Sequence, residues 1–413
     1  MRYRWVILLV GLAAQTAVSG VRQGLPSLTP TVRAAFGLSL PEVGLALSAF
    51  SLGIVVTLIA WGALADRYGE RPVLVAGLTG AAASLGAGAL APGFAGLVVA
   101  LFVAGAFGAS ATGGSGRAIM GWFGRGERGT ALGIRQMGVP LGGAAAAVTL
   151  PLMAVAGGLD AALLALAAAC LLAALASARW MRDAPPRPAG RPRVIAPPPF
   201  RDRRLWRLAV GSALLVAAQA ALFGFLVLFL HEERGWSPAA AGGALATLYA
   251  LGAVARVAAG RISDRLERRI APVRRIGLVA SALLAASAVL VAAPDGVLVP
   301  VLLAAAVTAA SWNGLSFTAA GELSGRERAG TAMGIQNTVL SAGAALAPVG
   351  FGAMVALTSW PVAWGLLCLS QLAGVLVLGP LVGEEEGRRR ARAAREAGGT
   401  LRGSSEPGIR SHV

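Results

Sequence analysis

The side chains in this sequence that could do chemistry are few, and the most informative is an arginine inside an apolar run. Arg256 lies eight residues before Asp264, which is about 12 Å along a helix at 1.5 Å per residue. A charge that deep in a bilayer is costly unless it binds something. The planar guanidinium suits a carboxylate or nitrate held by two parallel hydrogen bonds. Substrate contact by Arg256 is predicted, against the alternative of a side chain that extends to the inner headgroups or pairs with a loop acid.

Two further arginines fall inside apolar runs. Arg22, beside Gln23, comes late in the first run, so substrate contact competes with extension of the side chain to the outer surface. Arg135 comes early in the fifth run, from which its guanidinium could reach the inner headgroups. Gating is as well supported as binding for Arg135 and its neighbour Gln136.

Neutral hydrogen-bonding side chains occupy the middle of other runs. Gln15 and Gln219 both lie at central positions, and an amide surrounded by hydrocarbon needs hydrogen-bond partners. Those partners are either a substrate or a neighbouring helix, and the sequence supports both equally. Asn313 and Tyr249 are weaker candidates of the same kind.

The sequence lacks the residues that most catalytic and metal sites require. His231 and His412 are the only imidazoles, and Cys170 and Cys368 both lie in apolar runs. A metal cluster or a disulfide framework cannot be built, and little is left for a Ser/His/Asp triad. The sequence therefore predicts no enzyme activity, no cofactor and no metal. Carboxylates avoid the centres of the runs, which leaves an end acid such as Glu42, His231 or the substrate itself to carry a coupled proton.

Composition indicates where such a chain resides. Of its 413 residues, 56% are apolar and only 13% are charged, whereas soluble domains are about a quarter charged. The 36 basic residues are all arginine and give a net charge of +17, but a nucleic-acid-binding protein would not be this apolar. The partner is therefore expected to be a lipid bilayer and not nucleic acid.

Twelve apolar runs are long enough to cross a bilayer, at about 20 residues per helical crossing. They cover approximately residues 5–28, 41–64, 73–91, 95–116, 130–156, 159–179, 207–230, 238–260, 272–293, 297–320, 331–356 and 360–382. With both termini inside, the inner segments hold 31 arginines and the outer loops hold two, Arg33 and Arg234. This asymmetry follows the positive-inside rule. The first run also resembles a secretory signal, but a first helix is needed for an even number of crossings.

A basic, proline-rich segment divides the chain. Residues 181–206 contain seven prolines and no apolar run, as expected of an extended linker. We predict a six-helix bundle over 1–180, a cytoplasmic linker over 181–206, a second six-helix bundle over 207–382, and a disordered cytoplasmic tail over 383–413 that seeks the lipid surface.

The two halves repeat each other. The matching pairs are Gly62–Arg67 with Gly260–Arg265, Glu127–Ile134 with Glu327–Ile335, Gln15 with Gln219, Arg135 with Gln336, Gln136 with Asn337, and Cys170 with Cys368. Equal topology in each half predicts a parallel repeat about an axis along the membrane normal, with a cavity between the halves. The predicted fold class is an all-α polytopic membrane protein with twelve transmembrane helices in two parallel six-helix repeats.

The loop after the second run resembles the signature of the major facilitator superfamily of secondary transporters. Its sequence Gly62-Ala63-Leu64-Ala65-Asp66-Arg67-Tyr68-Gly69-Glu70-Arg71-Pro72 is similar to the family pattern Gly-x-Leu-Ala-Asp-Arg-x-Gly-Arg-Lys/Arg-Pro, with Glu70 the main departure. The resemblance covers essentially residues 1–385. It implies a transporter whose halves rock around a site near the membrane midplane.

Shorter motifs resemble particular branches. Arg256 with Gly260 resembles the Arg-x-x-x-Gly of the eighth helix in monocarboxylate, oxalate/formate and nitrate porters, where the arginine binds the substrate anion. Trp122-Phe123 followed by 127–133 is similar to the organophosphate and organic-anion branch. Gly138–Gly143 loosely resembles a proton-antiporter signature, whereas Leu101 stands where many proton-coupled members carry arginine.

These resemblances predict secondary active transport of a small organic anion across the cytoplasmic membrane, by a monomer, with proton coupling left open. The alternatives are drug or metabolite efflux by proton antiport and, more remotely, a membrane sensor that does not transport. The predicted substrate-binding residues are Arg256, Gln15, Gln219, Asn313, Arg22 and Tyr249. The predicted gating residues are Asp66, Arg67, Asp264, Arg265, Arg135, Gln136, Gln336 and Asn337.

The gating prediction has a physical basis in helix ends. A carboxylate at a helix start accepts unsatisfied backbone N–H groups and complements the helix dipole. Asp66 is expected to reach the start of the eleventh helix around Gly330 and Thr331, and Asp264 the start of the fifth around 129–130. The alternative is that each aspartate pairs with the arginine beside it.

Overall fold

The computed structural model describes residues 3–123, 131, 134–182, 201–266, 268–324 and 329–403. Its helices are α1 (Tyr3–Gly24), α2 (Thr29–Phe36), α3 (Leu40–Tyr68), α4 (Glu70–Ala89), α5 (Phe94–Trp122), α6 (Gly138–Trp180), α7 (Arg203–Glu232), α8 (Pro238–Leu266), α9 (Ile270–Val289), α10 (Asp295–Ala310), α11 (Asn313–Ser324), α12 (Ala329–Leu357) and α13 (Trp360–Gly403). Short 3₁₀ turns follow α1 at Leu25–Leu28 and α9 at Leu290–Ala292. Within these ranges all regular structure is helical, as predicted.

Eleven helical segments of the described part are long and apolar enough to cross a membrane. The longest, over residues 134–180, has 47 residues and would extend about 70 Å, more than twice a bilayer core of about 30 Å. Gly157 and Gly158 interrupt it with non-helical backbone, and Gly158 has φ +74° and ψ −174°, a conformation that only glycine adopts readily. Helix α6 therefore supplies two crossings, which brings the number to the predicted twelve.

The first crossing is longer than predicted. The turn at Leu25–Leu28 and α2 continue the path of α1, and the whole apolar segment runs 34 residues to Phe36. Pro26 and Pro30 do not end the crossing, because both lie in first turns, where a missing N–H costs nothing. Arg22 consequently lies about 20 Å along the helix from the end of the crossing at Phe36, and not at the outer mouth.

The two faces of the bundle differ in arginine content. We call the face that holds Tyr3, the start of α7 and the end of α13 the arginine-rich side, and the opposite face, with Arg33 and Arg234, the arginine-poor side. Odd-numbered crossings start at the first face and end at the second. Because the sequence assigns 31 arginines to one face and two to the other, the direction of each crossing is defined by charge.

The halves approach each other closely on the arginine-poor side. A Cβ atom on Gly44 would lie 2.3 Å from the Pro348 carbonyl oxygen, and one on Gly352 would lie 2.3 Å from the Leu40 carbonyl oxygen. Only glycine permits such backbone contact between α3 and α12. Arg33 of α2 also forms an ion pair with Glu232 at the end of α7. This side of the bundle is therefore closed.

The structure differs from the predicted disordered tail. Helix α13 continues through Gly383 to Gly403. The Glu385 carboxylate accepts backbone N–H groups at the start of α9, from Ile270 at 3.0 Å and Ala271 at 3.1 Å, which satisfies donors that the helix cannot pair internally. Low hydrophobicity suggested disorder, but 384–386 and 388–390 place glutamates four residues before arginines, a spacing that stabilises a helix.

Candidate substrate site

A pocket lies between the two halves, about midway along the crossings that line it. Its lining residues are Gln23 of α1, Val139 and Pro140 of α6, Phe223 of α7, Leu248, Tyr249, Gly252, Ala253 and Arg256 of α8, and Ala310 of α10. The empty volume is about 240 Å³ including the mouth.

Arg256 lines this pocket, facing the space between the halves. Its Nε donates to the Ala310 carbonyl oxygen at 2.8 Å. The two terminal nitrogens of the guanidinium form no hydrogen bond or ion pair with the described residues. Four of the five N–H donors of an arginine are therefore available on Arg256.

Tyr249 lies beside Arg256 and connects the two halves. Its side chain is 4% exposed, and its hydroxyl donates to the Gln23 carbonyl oxygen at 2.9 Å. The ring packs edge-on against Phe223, with centroids 5.5 Å apart. Because the hydroxyl proton already has an acceptor, the oxygen presents its lone pairs to the groups around it.

Arg22 lies deep in the first crossing, next to Gln23, but is not among the residues that line the pocket. It forms no hydrogen bond or ion pair with any described residue. No carboxylate is present among the lining residues. The pocket thus carries one positive charge, that of Arg256, which the described residues do not neutralise.

Arg135 occupies a different environment in the first half. Its side chain is 6% exposed and reaches inward rather than to the headgroups. Arg135 Nη2 donates to Gln15 Oε1 at 2.8 Å, to the Thr112 carbonyl at 3.0 Å and to the Ala111 carbonyl at 3.3 Å. Its Nε donates to Ser115 Oγ at 2.7 Å, and its Nη1 donates to Gln136 Oε1 at 3.2 Å. We call these residues the Arg135 cluster. It joins α1 and α5 to the start of the fifth crossing.

The second half repeats this arrangement without the charge. Gln336, which matches Arg135, is fully buried and donates from Nε2 to Ser316 Oγ at 2.6 Å. Ser316 also shares a hydrogen bond with Ser212 at 2.7 Å. Asn313 donates from Nδ2 to Gln219 Oε1 at 3.1 Å. We call these five residues the Gln336 cluster.

Three predicted substrate-binding residues thus hydrogen-bond within their own halves. Gln15 and Gln219 are each 7% exposed, so neither faces lipid, and with Asn313 they lie outside the pocket lining. Their partners are neighbouring helices, which was the alternative to substrate contact. Helix packing satisfies a buried amide as well as a ligand would.

The predicted gating residues are only partly described. Asp264 pairs with Arg269 rather than with the adjacent Arg265, which is exposed. Arg67 stacks over the Tyr68 ring at 5.2 Å. Gln136 is exposed and Asn337 half-buried. The side chains of Asp66 and Thr331, and residues 129–130, lie outside the described part, so the predicted contacts between Asp66, Asp264 and the helix starts stay predictions.

Sequence reasoning missed some polar groups around these sites. The Gln23 and Ala310 carbonyls carry no signal, because every residue has a carbonyl group. Ser115 could have been found, since Ser115 and Ser316 are separated by the same 201 positions as Arg135 and Gln336. A repeat that aligns two polar residues on neighbouring helices predicts a shared interhelical bond.

Comparison with known proteins identifies the family. The sequence model of the Major Facilitator Superfamily matches residues 8–348. The chain belongs to the Major Facilitator Superfamily. It is a multi-pass membrane transporter and not an enzyme, and its substrate is a small molecule.

Its relatives agree with this assignment. An uncharacterized MFS-type transporter of Mycobacterium tuberculosis is 36% identical over 374 residues, which cover 90% of this chain and 84% of the relative. A probable sulfoacetate transporter of Cupriavidus necator is 26% identical, with 91% of this chain and 94% of the relative covered. The crystal structure of a bacterial homolog of the human lysosomal transporter Spinster, inward-facing and occupied, superposes with a TM-score of 0.75 at 18% identity, covering 94% and 97% of the two chains. This last similarity shows the fold.

Proposed function

We propose that this superfamily member carries a small organic anion across the cytoplasmic membrane by alternating access. The observation that supports this most strongly is Arg256 in the pocket between the halves. Its Nε donates to the Ala310 carbonyl, and its remaining N–H donors have no acceptor in the described part. Even on a lenient scale an arginine at the centre of a membrane helix costs about 2.5–3.5 kcal/mol. A bound anion would offset that cost.

The geometry supports a mechanism in which residues 1–180 rock against residues 207–382 around this pocket. The backbone contact between α3 and α12 closes the arginine-poor side. We take the arginine-rich side, with both termini, to be cytoplasmic, and the described conformation is then closed to the outside. Rocking would require the Tyr249 to Gln23 hydrogen bond and the Arg33 to Glu232 ion pair to break.

The two buried polar clusters have a supporting role in this scheme. Each connects crossings within one half and does not connect the halves. Rigid-body rocking requires that each half keep its internal packing while the interface between them changes. Gln15, Gln219 and Asn313 are therefore assigned to the integrity of the halves, and Tyr249 and Arg256, which line the pocket, to the substrate.

The relative from Cupriavidus necator supports the choice of an anion. Its name gives sulfoacetate as the cargo, and this chain aligns with it over nearly the whole length of both proteins. Efflux of lipophilic cations would place a positive ligand against Arg256 with no carboxylate among the lining residues, which opposes binding.

Uptake into proteoliposomes tests the proposal. Purified protein is reconstituted and offered labelled small carboxylates and sulfonates, sulfoacetate among them, with a cationic dye as the contrasting ligand. We expect saturable uptake of at least one anion, no dye transport, and loss of uptake in Arg256→Ala. Arg256→Lys should also impair uptake, because an ammonium lacks the planar fork. Dye transport without anion transport, or full activity in Arg256→Ala, would overturn the proposal. A pH gradient across the same vesicles reports on proton coupling.

A further inference from the structure

We infer that Gln23 is the contact of the first half with the substrate, and that the anion held by Arg256 also carries a neutral hydrogen-bonding group, such as a hydroxyl, which the Gln23 amide recognises. This inference rests on the proposed function and specifies the class of anion as a hydroxylated monoanion. It assigns the acidic group of the substrate to one half of the molecule and the neutral group to the other.

The first argument is that few polar side chains line the pocket. Among the lining residues only Gln23, Tyr249 and Arg256 carry polar groups on their side chains. Tyr249 and Arg256 belong to the second half, whereas the first half supplies Gln23 together with the apolar Val139 and Pro140. A substrate enclosed between two rocking halves contacts both of them. Gln23 is therefore the lining side chain through which the first half can form a hydrogen bond to the substrate.

The second argument is the position of Gln23 against the second half. Its backbone carbonyl accepts the Tyr249 hydroxyl at 2.9 Å. A Cβ atom on Gly143 would lie 3.0 Å from Gln23 Cβ and 3.0 Å from both Cδ2 and Cε2 of Tyr249, so the two side chains adjoin at this glycine. Arg256 follows Tyr249 on helix α8 by about two helical turns, which places both on one face of the helix. The Gln23 side chain thus begins beside the face of α8 that carries Arg256.

The third argument comes from the hydrogen bonds of the glutamines. The amide of Gln23 forms none with the residues that the structure describes. Every other glutamine of the chain forms a side-chain hydrogen bond to the protein, namely Gln15, Gln136, Gln219, Gln336 and Gln371. A glutamine amide has two N–H donors and an oxygen with two lone pairs, and at membrane depth such groups need partners. In Gln23 these groups are available to a ligand.

The fourth argument is charge balance, which defines the group that Gln23 binds. Arg256 is the only charged residue among the lining residues, so one acidic group on the substrate neutralises the pocket. A second acidic group at Gln23 would leave a net negative charge at membrane depth, which is costly. A hydroxyl adds no charge, and it both donates and accepts hydrogen bonds, as an amide does. The expected substrate is a hydroxy acid whose acidic group binds Arg256 while its hydroxyl binds Gln23.

The test compares ligands that differ in the hydroxyl group. Equilibrium binding to the purified full-length protein is measured for 2-hydroxybutyrate, 3-hydroxybutyrate and 4-hydroxybutyrate against butyrate, with succinate as a dianion of the same carbon number. The same measurements are made on Gln23→Leu, which removes the amide and keeps a side chain of similar size. They are also made on Gln23→Glu, which keeps the shape and adds a negative charge.

Gln371→Leu is the matched control for loss of an amide outside the pocket. Gln371 is buried and is not a lining residue. Its Nε2 donates to the Leu215 carbonyl oxygen at 3.4 Å, and its Oε1 has no partner in the described structure. Losing a long hydrogen bond and removing an unsatisfied oxygen oppose each other, so this variant should fold and bind like the unmodified protein.

We expect at least one hydroxybutyrate to bind the unmodified protein about five-fold or more tightly than butyrate, the equivalent of one hydrogen bond. In Gln23→Leu this ratio should fall to about one, because hydroxybutyrate affinity drops while butyrate affinity changes little. Gln371→Leu should keep the original ratio. In Gln23→Glu every anion should bind at least about ten-fold more weakly, because a carboxylate would stand beside the bound acidic group. Should Gln23→Leu not fold, as judged by its elution profile in detergent, the nearly isosteric Gln23→Glu decides.

Different failures separate this inference from the proposed function. Equal affinities for butyrate and all three hydroxybutyrates in the unmodified protein would overturn the inference and leave anion transport intact. Tighter binding of succinate than of any hydroxybutyrate would show that the second group is acidic, which also overturns it. A ratio kept in Gln23→Leu, or unchanged anion affinity in Gln23→Glu, would remove Gln23 from the site. Absence of binding by every anion, with transport of a cationic dye, would overturn the proposed function itself.

Discussion

The Arg135 cluster and the pocket around Tyr249 each hold arginine at membrane depth, and they do so in opposite ways. In the cluster the guanidinium is buried and the protein supplies acceptors for Nε, Nη1 and Nη2. In the pocket, Arg256 has one acceptor in the described part, the Ala310 carbonyl. The same side chain is therefore structural where the protein satisfies it and a ligand site where the protein does not.

The comparison extends to the repeat. The Gln336 cluster keeps the serine and glutamine positions of the Arg135 cluster but replaces the cation by an amide. Interhelical bonding at this position is thus common to both halves, while the charge is particular to the first. Both halves therefore form hydrogen bonds between crossings at this position, whether or not the side chain that donates them is charged.

The largest expected effect is on stability, from Arg135→Ala. This change removes four hydrogen bonds between crossings. At about 0.6 kcal/mol for an average interhelical bond in a membrane protein, the free energy of unfolding should fall by roughly 2.5 kcal/mol. Reversible unfolding in mixed micelles measures it. If stability did not change, the cluster would not be structural and the contrast with the pocket would fail.

The next effect is on binding, from Arg256→Gln. Loss of a charged contact costs about 2–5 kcal/mol, so anion affinity should fall at least about 30-fold. Stability should stay constant or rise, since an unpaired charge is removed from membrane depth. Thermal unfolding of the ligand-free protein, together with binding, measures both. A large loss of stability would indicate that Arg256 is structural like Arg135.

A smaller effect is expected from Gln336→Leu. Gln336 makes one hydrogen bond, and its Oε1 has no partner in the described structure. Losing the bond and removing an unsatisfied oxygen oppose each other, so the unfolding free energy should change by less than about 1 kcal/mol. The same unfolding assay applies. A cost as large as that of Arg135→Ala would mean that the two clusters are equivalent despite their difference in charge.

The smallest effect is expected from Tyr249→Phe, which removes one hydrogen bond between the halves and keeps the ring against Phe223. A bond of about 0.6 kcal/mol corresponds to about a threefold shift toward the form open on the arginine-poor side. Labelling of a cysteine introduced at Leu47 by an impermeant maleimide, in a background without the native cysteines, measures the shift. Tyr68→Phe, at the exposed end of α3, is the control. Unchanged labelling would remove Tyr249 from the interface that holds this side shut.

The lengths of the apolar runs and the internal repeat of the sequence were enough to predict the architecture. Twelve crossings, the break between α6 crossings at residues 156–159, and the repeat all follow from apolar run length and internal matches, because a bilayer imposes one length on every crossing. The departures come from local chemistry. The first crossing was predicted to end near residue 28 and continues to Phe36, and helix α13 continues to Gly403 into the tail that was predicted to be disordered.

By itself the sequence determined that this protein is helical, crosses a membrane twelve times and consists of two like halves, because hydrophobicity and charge act on each segment separately. It also placed three arginines within crossings, where each needs a partner. Only the tertiary structure decided which partner each one has. Arg135 donates to Gln15 and Ser115, whereas Arg256 lines a pocket between the halves and donates only to the Ala310 carbonyl in the described part. Such meetings depend on how helices far apart in the chain rotate and pack, and no single helix carries that information.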